Sequence, residues 1–273
     1  RSLWVLRGDP ATGSLQRISE NIGIVSSRAW TKIEDSVCFL GEDGIYRVSA
    51  DGSSLTPLTE GKLPVELRDI DTSTTSISLE YEHDRQCVHV FLRTAAGSDD
   101  HFTYELESES WWPVRFGSND HSPLVTCRYD GKVCLAGNDG YIRYVGGSDD
   151  DGTAINSHCL LGPLRLSGVN MNGLIQQLWG VMGTGSGTVN WHIVVGDTAE
   201  EASDRGRDAI NAHLAGTDYS QYVAADSSFE AGRSKPFWPR TRAYWCCIWL
   251  QSSEVWAYES LALEVLPGFG RVR

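Results

Sequence analysis

Several clusters in this 273-residue chain have side chains of a kind that does chemistry. Gly183-Thr-Gly-Ser-Gly187 has the composition of a phosphate-binding loop. Such loops feed a helix whose N-terminal N–H groups face the anion, and the P-loop form ends in Gly-Lys-Ser/Thr. Here Thr188-Val-Asn-Trp-His-Ile-Val-Val195 follows, which reads as strand, so a flexible hairpin loop is expected. Asp149-Asp150-Asp151 and Asp99-Asp100 offer oxygens to a hard cation. Consecutive carboxylates diverge and lack the alternating spacing of a Ca²⁺ loop, so both read as solvated turns. The histidines (83, 89, 101, 121, 158, 192 and 213) form no His-x-His or His-x-x-x-His, and the cysteines form no Cys-x-x-Cys. His89 and His192 alternate with apolar neighbours, as strand residues do. Glu105, Glu107 and Glu109 alternate along a strand and its turn, which reads as a solvated edge rather than a glycosidase pair. No Gly-x-Ser-x-Gly elbow exists. The expectation is therefore no catalytic residue, no cofactor-binding residue, no metal ligand and no enzymatic activity.

The aromatic pairs carry more information. Trp111-Trp112 precedes Pro113, and Phe237-Trp238 lies between Pro236 and Pro239. Neighbours in a strand face opposite sides, so each pair either leaves a ring exposed for a protein contact or sugar stacking, or fills two cores at once. Trp111, Trp112, Phe237 and Trp238 are the candidate interface or ligand-stacking residues.

The elements that must position these rings announce themselves by repetition. Cys38-Phe-Leu-Gly-Glu-Asp-Gly-Ile-Tyr-Arg47 has an echo in Cys134-Leu-Ala-Gly-Asn-Asp-Gly-Tyr-Ile-Arg143, 96 residues later. Asp-Gly between apolar and aromatic runs is a hairpin signal, because tight hairpin turns need positive φ. Half the spacing, 48 residues, is close to the roughly 50-residue blade of kelch-type propellers. Further hairpins are expected at 3–6 with 15–18, 76–81 with 87–93, 102–106 with 111–116, and 124–129 with 132–136. Gly146-Gly-Ser-Asp-Asp-Asp-Gly152 reads as a linker. After it come longer strands and one helix over about 198–215, capped by Asp197 or Thr198, with Glu200 and Glu201 at its positive end and Gly216 beyond it. The chain should finish in two long antiparallel strands, 242–250 and 255–265. The first of these is apolar on both faces and should lie centrally between two covered layers, one of them open to a neighbouring subunit. The predicted fold is all-β: propeller-like repeated antiparallel hairpins in residues 1–150, then a β-sandwich-like domain with one helix in residues 151–273. About three blades fit in the first part, fewer than a closed propeller has. Arg1 leads straight into a strand-like run, so the chain is expected to begin inside a domain.

Composition limits the partners. A net charge of −13 repels nucleic acid and anionic membrane, although an acidic wall suits a channel through which DNA slides without sticking. No run approaches 18 apolar residues, so no membrane insertion is expected. Seven cysteines, most in apolar strand-like runs, read as reduced thiols of a protein assembled in a cytoplasm.

The strings Ile24-Val-Ser-Ser-Arg-Ala-Trp30, Cys38 to Arg47, and His101-Phe-Thr-Tyr-Glu-Leu-Glu-Ser-Glu-Ser-Trp-Trp112 resemble tail and connector proteins of tailed bacteriophages, as does the ending from Trp245 to Leu263 with Pro267 to Arg273. The resemblance implies a structural virion protein of tail nozzle or hub type. Its partners would be copies of itself in a symmetric ring, other tail or portal-proximal proteins, and DNA in transit, and it would reside in the virion tail after assembly in the host cytoplasm. The alternative is a carbohydrate- or receptor-binding module of a tail using the four aromatics. A third class is an enzyme acting on surface polysaccharide.

Overall fold

β-Branched and aromatic residues alternate with polar ones through short runs broken by Gly and Asp, and nearly every such run forms a strand. The computed structural model describes residues 1–62, 67–94, 100–118, 120–147, 149–169 and 171–268. Asp99 and the closing residues 269–273 lie outside them. The chain divides into two units, Arg1–Gly147 and Ser148–Arg273.

In the first unit each strand pairs antiparallel with its neighbour in sequence. β1 (Leu3–Arg7) and β2 (Ser14–Ser19) form a hairpin. β3 (Trp30–Ile33), β4 (Ser36–Leu40), β5 (Ile45–Ser49) and β6 (Leu55–Pro57) make a first meander. β7 (Thr75–Glu82), β8 (Cys87–Thr94), β9 (Asp100–Glu105) and β10 (Ser110–Val114) make a second. β11 (Val125–Tyr129), β12 (Lys132–Ala136) and β13 (Ile142–Tyr144) make a third. This is the propeller-like series that the repeat predicts, and no sheet closes on itself among the described residues. Gly44 and Gly140 both sit between the second and third strands of their meanders, at φ +142° and +83°.

The second meander is covered on both faces. Ile77, Leu79, Tyr81, Val88, Val90 and Tyr104 pack with Ile33, Cys38, Leu40 and Ile45 of the first. From its other face, Phe91 packs with Val133 and Leu135 of the third meander, and the Ser78 and Thr126 hydroxyls lie 2.5 Å apart. Beyond the first meander, Phe39, Tyr46 and Val48 gather Leu3 and Ile18 of the β1–β2 hairpin.

The second unit begins with the small hairpin β14 (Asp149–Asp150) and β15 (Thr153–Ala154). It continues with β16 (Ser157–Arg165), β17 (Gly173–Met182), β18 (Val189–Gly196), α1 (Ala199–Leu214), β19 (Val223–Phe229), β20 (Gly232–Arg233), β21 (Thr241–Ala243), β22 (Trp245–Ser252) and β23 (Tyr258–Pro267). One sheet runs β16-β22-β18-β19; in the other, β17 pairs with β20 and β21 and with β23. Ile175, Leu178, Trp191, Ile193, Phe229, Cys246, Ile248 and Leu250 fill the space between them. α1 covers the outer face of the first sheet. Thr198 caps it by accepting from the Glu201 N–H at 3.1 Å, and its buried residues Ala202, Gly206 and Ala209 are small enough for close approach. A Cβ at Gly206 would stand 3.0 Å from the Leu160 methyls, so that side chain would have to shift to admit one.

The structure corrects two expectations. The closing strands are not a hairpin: β22 pairs with β16 and β18, while β23 pairs with β17 in the opposite sheet. Gly183–Gly187 is likewise not a hairpin loop, since β17 and β18 belong to different sheets. It is an arch between sheets, pinned where Gly183 and Gly187 N–H groups donate to the carbonyls of Ala257 and Val255 at 2.8 and 2.9 Å. β22 is central as expected, but its second face is covered by this chain's own α1.

Candidate functional site

Each predicted aromatic pair splits into one anchored ring and one exposed ring. In the first unit Trp111 stands opposite Tyr104 in the β9–β10 ladder, with ring centroids 4.8 Å apart. Its Nε1 donates to the Leu58 carbonyl at 3.0 Å, tying the second meander to the first. Trp112 turns the other way and is 52 % exposed. It lines an open depression of about 560 Å³ with Lys62, Ser108, Glu109, Ser110 and Trp111. Lys62 Nζ donates to the Glu109 carbonyl at 2.7 Å and lies 3.3 Å from its carboxylate. An exposed indole beside one cation and one anion is a surface on which a sugar ring or an aromatic side chain can stack.

In the second unit Phe237 exchanges both backbone hydrogen bonds with Leu178, at 2.8 and 3.0 Å. This clips its ring into the sandwich core, edge-on to Trp191 and Phe229 at 5.4 and 5.6 Å. The next residue must then point outward, and Trp238 is 57 % exposed. Core packing thus claims Trp111 and Phe237, and only Trp112 and Trp238 are offered to a partner. Each exposed indole belongs to its own unit.

The third meander carries an exposed apolar surface that the sequence reading did not single out. Its inner face holds Val133 and Leu135 against Phe91. By register, Cys127, Cys134 and Tyr144 share the outer face, as do Tyr129 with Lys132 and Ala136 with Ile142. Tyr129, Ile142 and Tyr144 are 69, 72 and 55 % exposed. Lys132 Nζ lies 5.1 Å from the Tyr144 ring centroid. The signal was present as Tyr129, Tyr141, Ile142 and Tyr144 in short strands, but alternation cannot say which face has a neighbour.

A buried polar cluster lies between β7 and β8. Glu82 Oε2 is 3.0 Å from His89 Nε2, and Cys87 Sγ is 3.5 Å from each. His89 Nδ1 meets the Thr103 hydroxyl at 2.8 Å. Burial pushes the Glu82 carboxyl up, but the hydrogen bond and charge of His89 outweigh it and hold it below the ordinary value. Burial, then the Glu82 charge, pushes the Cys87 thiol up to about 12, which excludes it as a free thiolate nucleophile near neutral pH.

A second polar cluster lies under α1, where His192 stacks on Trp249 at 4.3 Å and Tyr219 and His213 pack edge-on to the same indole. Burial holds His192 down at about 4, against a smaller upward pull from Asp226. It is a neutral packing residue at physiological pH.

Neither a scan against models of known protein families nor a search of curated proteins finds a match to this chain.

Proposed function

We propose that the protein is a structural subunit of a bacteriophage tail, of nozzle or hub type, that repeats around an axis and forms part of the apparatus for host attachment and DNA passage. The observation that carries this reading is the outward face of the third meander. Each meander packs a face against the next, and the last presents Tyr129, Ile142 and Tyr144 to solvent. A face built like the buried ones but left open suits a contact with another protein. A heterologous contact repeated by a closing rotation gives a ring, and the net charge of −13 suits a wall along which DNA must not stick. The strand-turn phrases resembling tail proteins support the same reading.

Electron microscopy and light scattering of the purified chain and of native particles test this. The expected result is a closed ring that the combined Tyr129→Ser, Ile142→Asn, Tyr144→Ser variant disperses to folded monomers. A wild-type chain that stays monomeric at all concentrations and is absent from virions would sink the proposal.

The alternative, a carbohydrate- or receptor-binding module, is favoured by Trp112 above the Lys62–Glu109 depression. Its test is a glycan array with wild type and Trp112→Ala. Binding lost on that change supports the module, and no glycan bound by wild type removes it.

A further inference from the structure

We propose that Glu82, Cys87 and His89 form a binding site for a divalent metal ion of the zinc class, held by the β7–β8 hairpin.

The geometry carries it. The three potential ligand atoms face one another with edges of 3.0, 3.5 and 3.5 Å. Zinc bonds of about 2.0–2.1 Å to nitrogen, 2.0–2.2 Å to oxygen and 2.3 Å to sulfur give tetrahedral edges of about 3.3 Å between nitrogen and oxygen and about 3.5 Å from sulfur to either. The trio therefore already stands close to three corners of such a tetrahedron. Glu82 and Cys87 are register partners across the hairpin, and His89 follows two residues on, so all three project from one face of the sheet. Each is under a tenth exposed.

The surroundings are those of ligands held in place. The Thr103 hydroxyl, on the neighbouring strand, meets His89 Nδ1 and leaves Nε2 directed at Glu82 and Cys87. A second partner that fixes the ring in this way is usual for a ligating histidine. The other Glu82 oxygen lies 3.7 Å from Arg85 Nε, so Oε2 is the one left for the trio. On metal binding the imidazole proton sits on Nδ1, which donates to Thr103, and the cation takes the place of the hydrogen that joins Nε2 to the Glu82 carboxylate. Charge balances as well. On binding, the Cys87 S–H gives its proton to solvent and the sulfur takes the metal. One thiolate, one carboxylate and one neutral imidazole then cancel the two charges of the ion. Zinc sites with three protein ligands take a water molecule at the fourth corner.

The full chain, stripped of metal, is titrated with Zn²⁺ and with Co²⁺ as a spectroscopic probe. The expected result is one equivalent bound, with the visible bands and thiolate charge-transfer absorption of tetrahedral cobalt. Cys87→Ser and His89→Gln should abolish those bands, and Thr103→Val should keep them while weakening binding about 10–100-fold, the usual effect of losing such a supporting group. Cys127→Ser, on the outer face of the third meander opposite Cys134, should change nothing. Circular dichroism monitors folding, and any one folded ligand variant suffices. Three outcomes overturn the assignment: a wild-type chain that takes up no metal, which leaves a hydrogen-bonded trio only; a cobalt–thiolate band that survives in folded Cys87→Ser; or a band lost in Cys127→Ser.

Discussion

Cys246 and Cys247 are adjacent in β22 yet belong to different cores. Cys246 lies with Ile248 and Leu250 between the two sheets, while Cys247 lies with Val194 and Ala202 beneath α1. Both are fully buried. Cys247→Asp should therefore cost roughly 3–5 kcal/mol, the scale of an uncompensated buried charge. Val169→Asp, at a position 73 % exposed, should change stability by no more than about 0.5 kcal/mol. Urea unfolding of both variants checks this, and equal stabilities would mean that α1 does not cover β22.

The repeated Asp-Gly turns should respond unequally to the same change. A Cβ at Gly44 would stand 2.1 Å from Thr59 Oγ1, the atom that accepts the Ile45 N–H at 3.2 Å, and φ there is +142°. Gly140 has open space around it and φ +83°. Gly44→Ala should cost roughly 2–4 kcal/mol from backbone strain and a lost hydrogen bond, and Gly140→Ala about 1–2 kcal/mol. Thermal unfolding of the two variants side by side gives the comparison.

Acid should weaken the second unit. With the folded His192 value held down to about 4 and the unfolded value near 6.5, the unfolded chain binds the proton first. Stability is thus full above about pH 6.5 and falls as pH drops toward about 4, by up to about 3 kcal/mol. In His192→Phe, which keeps the stack on Trp249, that part of the slope should vanish. The Glu82 carboxyl, held low, adds a loss of the same sign in the first unit as pH falls through the carboxylate range. Tryptophan fluorescence against pH, compared between wild type and His192→Phe, measures the difference.

The aromatic pairs should separate stability from binding. Trp111→Ala removes a half-buried ring and the hydrogen bond to Leu58, and should cost about 2–4 kcal/mol. Trp112→Ala should cost no more than about 0.5 kcal/mol. Denaturant unfolding of the two variants, beside Phe237→Ala and Trp238→Ala, should show the same split in the second unit.

The strands and helix were readable because each announces itself locally. Asp-Gly between alternating runs marks the β4–β5 hairpin, and Thr198 with Glu200 and Glu201 marks the start of α1. Sheet partnership was readable only where it joins neighbours. In the second unit the arch at Gly183–Gly187 looks like a hairpin loop, because a glycine-rich turn carries no signal of whether the next strand returns to the same sheet. The candidate sites divide in the same way. Alternation put the two rings of each aromatic pair on opposite faces but left open whether both faces were covered, and the structure leaves Trp112 and Trp238 exposed. The Glu82–Cys87–His89 cluster was missed because its spacing matches no helical or loop ligand motif, and only the cross-strand register turns Glu82 and Cys87 into neighbours.

The ladders that join β16 to β22 and β17 to β23 impose an order on how the two units can be acquired. In the first unit every pairing closes a short loop, so each meander can form as soon as its own residues are available. In the second, the partners in these two ladders lie 76–95 residues apart, and bringing them together costs more entropy before any contact rewards it. On a growing chain, β16, β17 and β18 must therefore wait with open edges until β22 and β23 emerge. A ribosome-stalled chain ending near residue 240 should already resist protease through its meanders while its later strands are still cut.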